Sequence, residues 1–115
     1  MADETKEAFE ETMGMVERLA GRLEREPGDL EGWLRLAHAY GVLGEADRRR
    51  GALERAAALA PDRADLQLAL ADAEAAGGTP EAAAERLERL LRGLPADAPE
   101  RPAVEAELNR LRDRE

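Results

Sequence analysis

The sequence predicts an all-α fold built from repeated helix pairs, and two observations support this prediction. The first is composition: of 115 residues, 24 are Ala and 17 are Leu, Ile is absent, and Val and Thr number three each. Ala, Leu, Glu and Arg are good helix formers, whereas β-branched residues are too scarce here to furnish a sheet. The second observation is an internal repeat with a period of 34 residues.

Two stretches of the chain match each other at this period of 34 residues. The matched pairs are Trp33/Gln67, Leu36/Leu70, Ala37/Ala71, Tyr40/Glu74, Gly44/Gly78, Leu53/Leu87, Ala56/Leu90 and Pro61/Pro95. A W-x2-L-small-x2-Y opening and a closing proline at this period are typical of the tetratricopeptide (TPR) repeat. One such helix pair cannot bury its own apolar face, so we expect the pairs to stack into a right-handed α-solenoid fragment whose groove suits protein ligands.

The first predicted helix runs from about Thr5 to Glu26. Its apolar residues recur at helical spacing and form one stripe, namely Phe9, Met13, Val16, Leu19, Ala20 and Leu23. Pro27 ends the helix and lies one period before Pro61. The helix therefore takes the second-helix position of an incomplete repeat and is expected to cap the array.

Two helix pairs follow, and turn residues mark their ends. Asp29 is placed to cap a helix over 30–43, Gly44 permits the turn into a helix over 45–60, and Pro61 ends that helix. Asp62 and Asp65 resemble a capping box for the fourth helix. Residues 77–78 are both Gly, after which Thr79 is expected to cap a fifth helix that starts at Pro80.

A proline-rich segment, 95–102, precedes a last helix with Val104, Leu108 and Leu111 as its apolar stripe. We therefore expect a single TPR domain over 1–115. Its predicted parts are an N-terminal capping helix (1–27), a first TPR (30–61), a second TPR (64–95) and a C-terminal capping helix (98–115).

Three residues depart from the repeat pattern. Arg49 stands where a small residue is expected, and we expect its guanidinium to reach solvent along the aliphatic stem, with a small rotation of the third helix as the alternative. Gln67 and Glu74 replace the expected tryptophan and tyrosine. Terminal repeats are often atypical in this way.

The composition argues against several classes of partner. The formal net charge is −9, and no basic stripe is visible, so nucleic acid is an unsuitable ligand. Cys is absent, which removes disulfides and reactive thiols. No apolar run approaches the length of a membrane span.

The chain also lacks the residues of common catalytic sites. It contains no Ser, no Cys, one His and one Lys, so Ser–His–Asp, Cys–His and Ser–Lys arrangements are impossible within one chain. Zinc sites need more His or Cys than this, and no phosphate-binding loop or dinucleotide fingerprint appears. We expect no enzyme activity, no cofactor and no metal site.

The candidate binding residues lie beside the packing face of each first helix. They form one stripe on the second helix and an equivalent stripe on the fourth, and are Leu34, His38 and Gly41, then Leu68, Asp72 and Ala75. First helices of successive pairs line the concave surface of such repeats, so these six residues are expected to share one groove. The alternatives are that the two leucines pack against the terminal caps and that His38 is an ordinary surface residue.

Residues 15–36 carry a more specific resemblance: they contain Met-Val-x2-Leu-Ala-x2-Leu, followed after Pro-Gly-Asp by Leu-Glu-Gly-Trp. This pattern resembles the soluble TPR domain of the CycH/CcmI-type cytochrome c biogenesis proteins of proteobacteria. The similarity continues through 39–44 and 56–61, and 94–101 also resembles stretches of that family.

The resemblance implies a periplasmic domain that holds apocytochrome c, chiefly by its C-terminal helix, for the haem-ligation subunits. It implies no covalent chemistry, and a membrane contact only through segments absent from this chain. The alternative is a cytoplasmic TPR scaffold that joins proteins or self-associates as a homo-oligomer. TPR domains that grip a C-terminal carboxylate use Lys, Arg and Asn, which the groove positions Leu34, His38, Leu68 and Asp72 do not supply.

Overall fold

The computed structural model describes residues 2–113, and this part of the chain consists of six α-helices without a β-strand. The helices are α1 (Ala2–Arg25), α2 (Leu30–Val42), α3 (Ala46–Leu59), α4 (Ala64–Ala76), α5 (Pro80–Gly93) and α6 (Arg101–Arg112). The predicted all-α helical repeat is confirmed. No helix within residues 2–113 has the length and apolar character needed to cross a membrane.

Each helix packs against the next one along the chain, and α4 also contacts α6. This stacking elongates the molecule to 52 × 32 × 21 Å, with a radius of gyration of 16.3 Å, whereas a compact domain of this size has about 13 Å. Two apolar clusters fill the stack, one over α1 to α4 and one over α4 to α6. The helix α6 therefore lies on α5 as α4 lies on α3.

The turns inside the two helix pairs have the same geometry, 34 residues apart. Gly44 and Gly78 adopt positive φ angles of 76° and 93°, which glycine tolerates without steric cost. The next amide donates back to the preceding helix in both turns: Glu45 N to Tyr40 O and Thr79 N to Glu74 O, each over 2.9 Å. This pattern satisfies carbonyl groups that a helix end would otherwise leave unpaired.

The predicted cap of α2 is confirmed. The Asp29 carboxylate accepts a hydrogen bond from Gly32 N over 2.9 Å and a second one from Arg22 Nη2 over 3.1 Å. The bond from the Gly32 amide, and then that from the Arg22 guanidinium, lower the pKa of Asp29. The carboxylate thus ties the end of α1 to the start of α2.

The other two cap predictions are wrong in their chemistry. Helix α4 has Arg63 at its N-cap, with no side-chain capping bond, and the Asp65 carboxylate pairs with Arg63 Nη2 over 2.7 Å instead. Thr79 does occupy the N-cap of α5, but its hydroxyl donates to Glu74 O over 2.8 Å rather than capping the helix. In both places a nearby polar group competes for the capping side chain.

Close contact between α1 and α2 depends on Gly32. A Cβ atom at this position would lie 2.5 Å from Leu23 Cδ2 and 2.6 Å from Asp29 Oδ2. Leu23 has no exposed surface, so it cannot move aside into solvent. Trp33 Nε1 donates to Pro27 O over 2.9 Å and fixes the same joint from the other side.

We predict that Gly32→Ala destabilises the domain by about 1–3 kcal/mol, because the new methyl overpacks Leu23 and disturbs the Asp29 cap. Urea denaturation followed by circular dichroism would measure the change. Gly51→Ala is the matched control, since Gly51 lies within α3 and nothing stands within 4 Å of its Cβ position. That variant should gain roughly 0.5–1 kcal/mol from helix propensity. Similar stability changes in both variants would contradict the packing argument.

Candidate protein-binding surface

The two repeats fill the same three positions with different chemistry. In the first repeat Trp33 and Tyr40 on α2 pack with Ala52 on α3, and all three are buried. In the second repeat the same positions hold Gln67, Glu74 and Arg86. A bulky aromatic pair beside a small residue is thus exchanged for two shorter polar side chains beside a long cation.

These three polar residues form a connected network. Arg86 Nε donates to Glu74 Oε1 over 2.5 Å, and Arg86 Nη1 donates to Gln67 Oε1 over 3.0 Å. Gln67 Nε2 then donates to Pro61 O over 3.2 Å, as Trp33 Nε1 donates to the carbonyl of Pro27 one period earlier. Only 13 % of the Glu74 side chain and 23 % of the Arg86 side chain are exposed. Gln67 therefore keeps the hydrogen bond of the tryptophan that it replaces.

We predict that Arg86→Ala destabilises the domain by about 1–3 kcal/mol, because it leaves the Glu74 carboxylate without its charged partner in a mostly buried position. Thermal unfolding would measure the loss. Arg89→Ala on the exposed side of the same helix is the matched control and should change stability little.

The triple variant Gln67→Trp/Glu74→Tyr/Arg86→Ala copies the first repeat and should recover most of the stability lost in Arg86→Ala. If the triple variant is less stable than Arg86→Ala alone, the two sets are not structural equivalents.

On α2, the predicted groove residues differ in exposure. Leu34 is half-buried against the first apolar cluster, whereas His38 and Gly41 are exposed. A Cβ at Gly41 would lie 3.3 Å from Arg49 Cδ, so the arginine stem lies against this glycine. Val42, which the sequence interpretation did not include, lies four residues after His38 and is 75 % exposed.

On α4, the stripe turns toward the closing helix. Leu68 and Ala75 are half-buried against the second cluster, to which α6 contributes. Asp72 is exposed, with its carboxylate 3.8 Å from Arg110 of α6. Part of Leu68 therefore packs toward α6, as the alternative interpretation expected, and part remains accessible.

The helix α6 extends the same pattern by a third period. Residues 34 positions after the α4 stripe are Pro102, Ala106, Asn109 and Arg110, and all four are exposed. The backbones of α4 and α6 approach each other, but within residues 2–113 no Cα atom of α2 lies within 8 Å of one of α4. The surface formed by the stripes on α2, α4 and α6, here termed the concave surface, is therefore wider between its first two helices.

Arg49 lies at one edge of this surface. Its side chain is half-buried, and it helps to line a cavity of about 90 Å³ between α3 and α4. Asp47, Arg50 and Asp72 line the same cavity. The stem of Arg49 is packed while its charged group stands among other charges, which agrees with the expectation that the stem carries the charge out of the core.

The structure offers little for catalysis. Within residues 2–113 no group of three or more His, Asp or Glu side chains has a geometry that could hold a metal ion. The carboxylates instead serve helix ends and ion pairs, such as Glu24 with Arg55 across α1 and α3 over 3.1 Å. Arg55 also stands 4.9 Å above the Trp33 ring, a cation–π geometry.

Comparisons with known proteins identify two kinds of relative. No protein-family model matches the sequence. The cytochrome c-type biogenesis protein CycH of Bradyrhizobium diazoefficiens is 59 % identical over 39 residues, or 34 % of this chain and 11 % of that protein. CycH of Rhizobium meliloti is 52 % identical over 40 residues, or 35 % of this chain and 10 % of that protein. The matched segment is thus about a tenth of each CycH protein.

Two crystal structures of MamA share the fold. They superpose with TM-scores of 0.69 and 0.68 at 19 % identity, covering 96 % of this chain and 58 % and 62 % of the MamA chains. Identity this low shows the fold alone. The predicted resemblance to CycH is confirmed over about a third of the chain, and the fold is a TPR-type helical repeat.

Proposed function

We propose that this chain is a protein-binding module of c-type cytochrome biogenesis that holds an amphipathic helix on its concave surface. The observation that carries the proposal is the repeated stripe of accessible apolar residues on three consecutive first-position helices. Its ranks are Leu34, Leu68 and Pro102, then His38, Asp72 and Ala106, then Val42, Ala76 and Arg110.

The shape and chemistry of this surface suit a helical ligand. Apolar anchors stand at intervals of one helix, small residues such as Gly41 and Ala75 allow close approach, and Asp72 adds a carboxylate. An amphipathic helix recognises such a groove through side chains spaced at three and four residues. The charge of −9 favours a ligand with Lys or Arg and speeds its capture at low salt.

The similarity to CycH supports an apocytochrome c as the protein held, bound through its C-terminal helix and presented to haem-ligation subunits. On this proposal the module works in the periplasm and catalyses no reaction, since it binds and releases an unfolded chain. A general TPR scaffold would instead bind without preference for cytochrome sequences.

The proposal predicts that a peptide with the C-terminal helix of a c-type cytochrome binds the domain, and that Val42→Arg or Ala106→Arg weakens binding about tenfold or more. Both positions are exposed, so the fold should persist, and the new cation should repel the ligand and block its anchor. Isothermal titration calorimetry would measure the affinity, which should fall as salt rises.

Leu59→Arg is the matched control, because Leu59 is also an exposed apolar residue, 43 % accessible, but belongs to the second-position helix α3. It should bind like the parent. A scrambled peptide of the same composition tests sequence preference. Parent-like affinity in both groove variants would remove the concave surface as the binding site.

A further inference from the structure

The first helix is much longer than the others and is only partly covered. It has 24 residues, whereas α3 and α5, which occupy equivalent positions in the repeat, have 14 each. The excess is about 15 Å of helix. Within the described residues α1 packs its backbone against α2 alone. Its apolar stripe is buried at Val16 and Leu23, but Phe9 is 49 % exposed and Met15 is 64 % exposed.

The internal repeat identifies what normally covers the exposed face. Met15 and Leu19 of α1 are equivalent to Arg49 and Leu53 of α3 at the 34-residue period. Arg49 lies against Gly41 of α2, which is the first-position helix of its own pair, and Leu53 is buried at 5 % exposure. By contrast Leu19 is half-buried. The α1 face that corresponds to this contact has no helix packed on it within residues 2–113.

We propose that this face, here termed the open slot and formed by Ala8, Thr12, Met15 and Leu19, is a docking site for a basic amphipathic helix of a partner protein. The four residues follow one another at spacings of four, three and four, which places them on one side of α1. A helix lying along them would take the first-position place and form a pair with α1 as α2 does with α3.

The charges around the open slot select the partner. Residues 3–11 carry five carboxylates against the single Lys6. Glu7, Glu10 and Glu11 line a shallow depression beside Met15. A second copy of this chain would bring the same carboxylates together and is disfavoured by repulsion, whereas lysine or arginine on the flanks of a docked helix would pair with them.

The absence of Cys allows a site-specific test on the whole chain. Lys6→Cys would be labelled with an environment-sensitive dye and titrated with a synthetic Leu/Lys amphipathic helix of about 18 residues, ~27 Å long. We expect a saturable dye response that weakens with salt. Met15→Arg should weaken it about tenfold or more without unfolding the domain, because the equivalent position of α3 already holds Arg49.

Val42→Arg is the control for this titration, since it alters the concave surface and should leave the response at α1 unchanged. This arrangement separates the open slot from the proposed cytochrome site, because each variant affects one surface only. A parent-like response in Met15→Arg, or equal binding of a Leu/Glu helix of the same pattern, would overturn the proposal. So would concentration-dependent dimerisation that Met15→Arg abolishes in sedimentation, since it assigns the slot to a second copy.

Discussion

The structure depends on one constraint: each second-position helix must be covered by the first-position helix that follows it. Leu23 of α1, Ala56 of α3 and Leu87 of α5 all have 0 % exposure, and the following helix contributes to each burial. No single pair encloses these residues, so stability comes from neighbouring contacts, as in other repeat proteins. The same constraint makes the ends distinctive, because α6 exposes a polar outer surface while the start of α1 exposes apolar residues.

Stacking fixes the shapes of the positions more strictly than their chemistry. The set Trp33, Tyr40 and Ala52 and the set Gln67, Glu74 and Arg86 occupy equivalent places, one by aromatic packing and the other by a hydrogen-bonded charge pair. Both sets place an N–H group against the carbonyl of the preceding proline. A polar set of this kind is stable only when every member is bonded, which the three residues achieve together.

The sequence predicted the fold well because the 34-residue period acts on backbone geometry and on burial, both of which one chain displays. It was less able to predict which side chains compete for a helix end: Arg63 took the carboxylate of Asp65, and Glu74 O took the Thr79 hydroxyl. The role of Arg86 was missed because the repeat was compared at first-helix positions only, although its exchange with Ala52 was visible at the same period. The groove prediction lacked the rank on α6, since that helix was treated as a cap.

The central claim is that a helical ligand binds along α2, α4 and α6. Amide chemical-shift mapping of the isotopically labelled domain during titration with the cytochrome-derived peptide tests it most directly. The account predicts saturable shifts that recur near His38, Asp72 and Ala106, one period apart, with little change at the outer surfaces of α3 and α5. Saturable binding whose shifts avoid all three of these positions would contradict it.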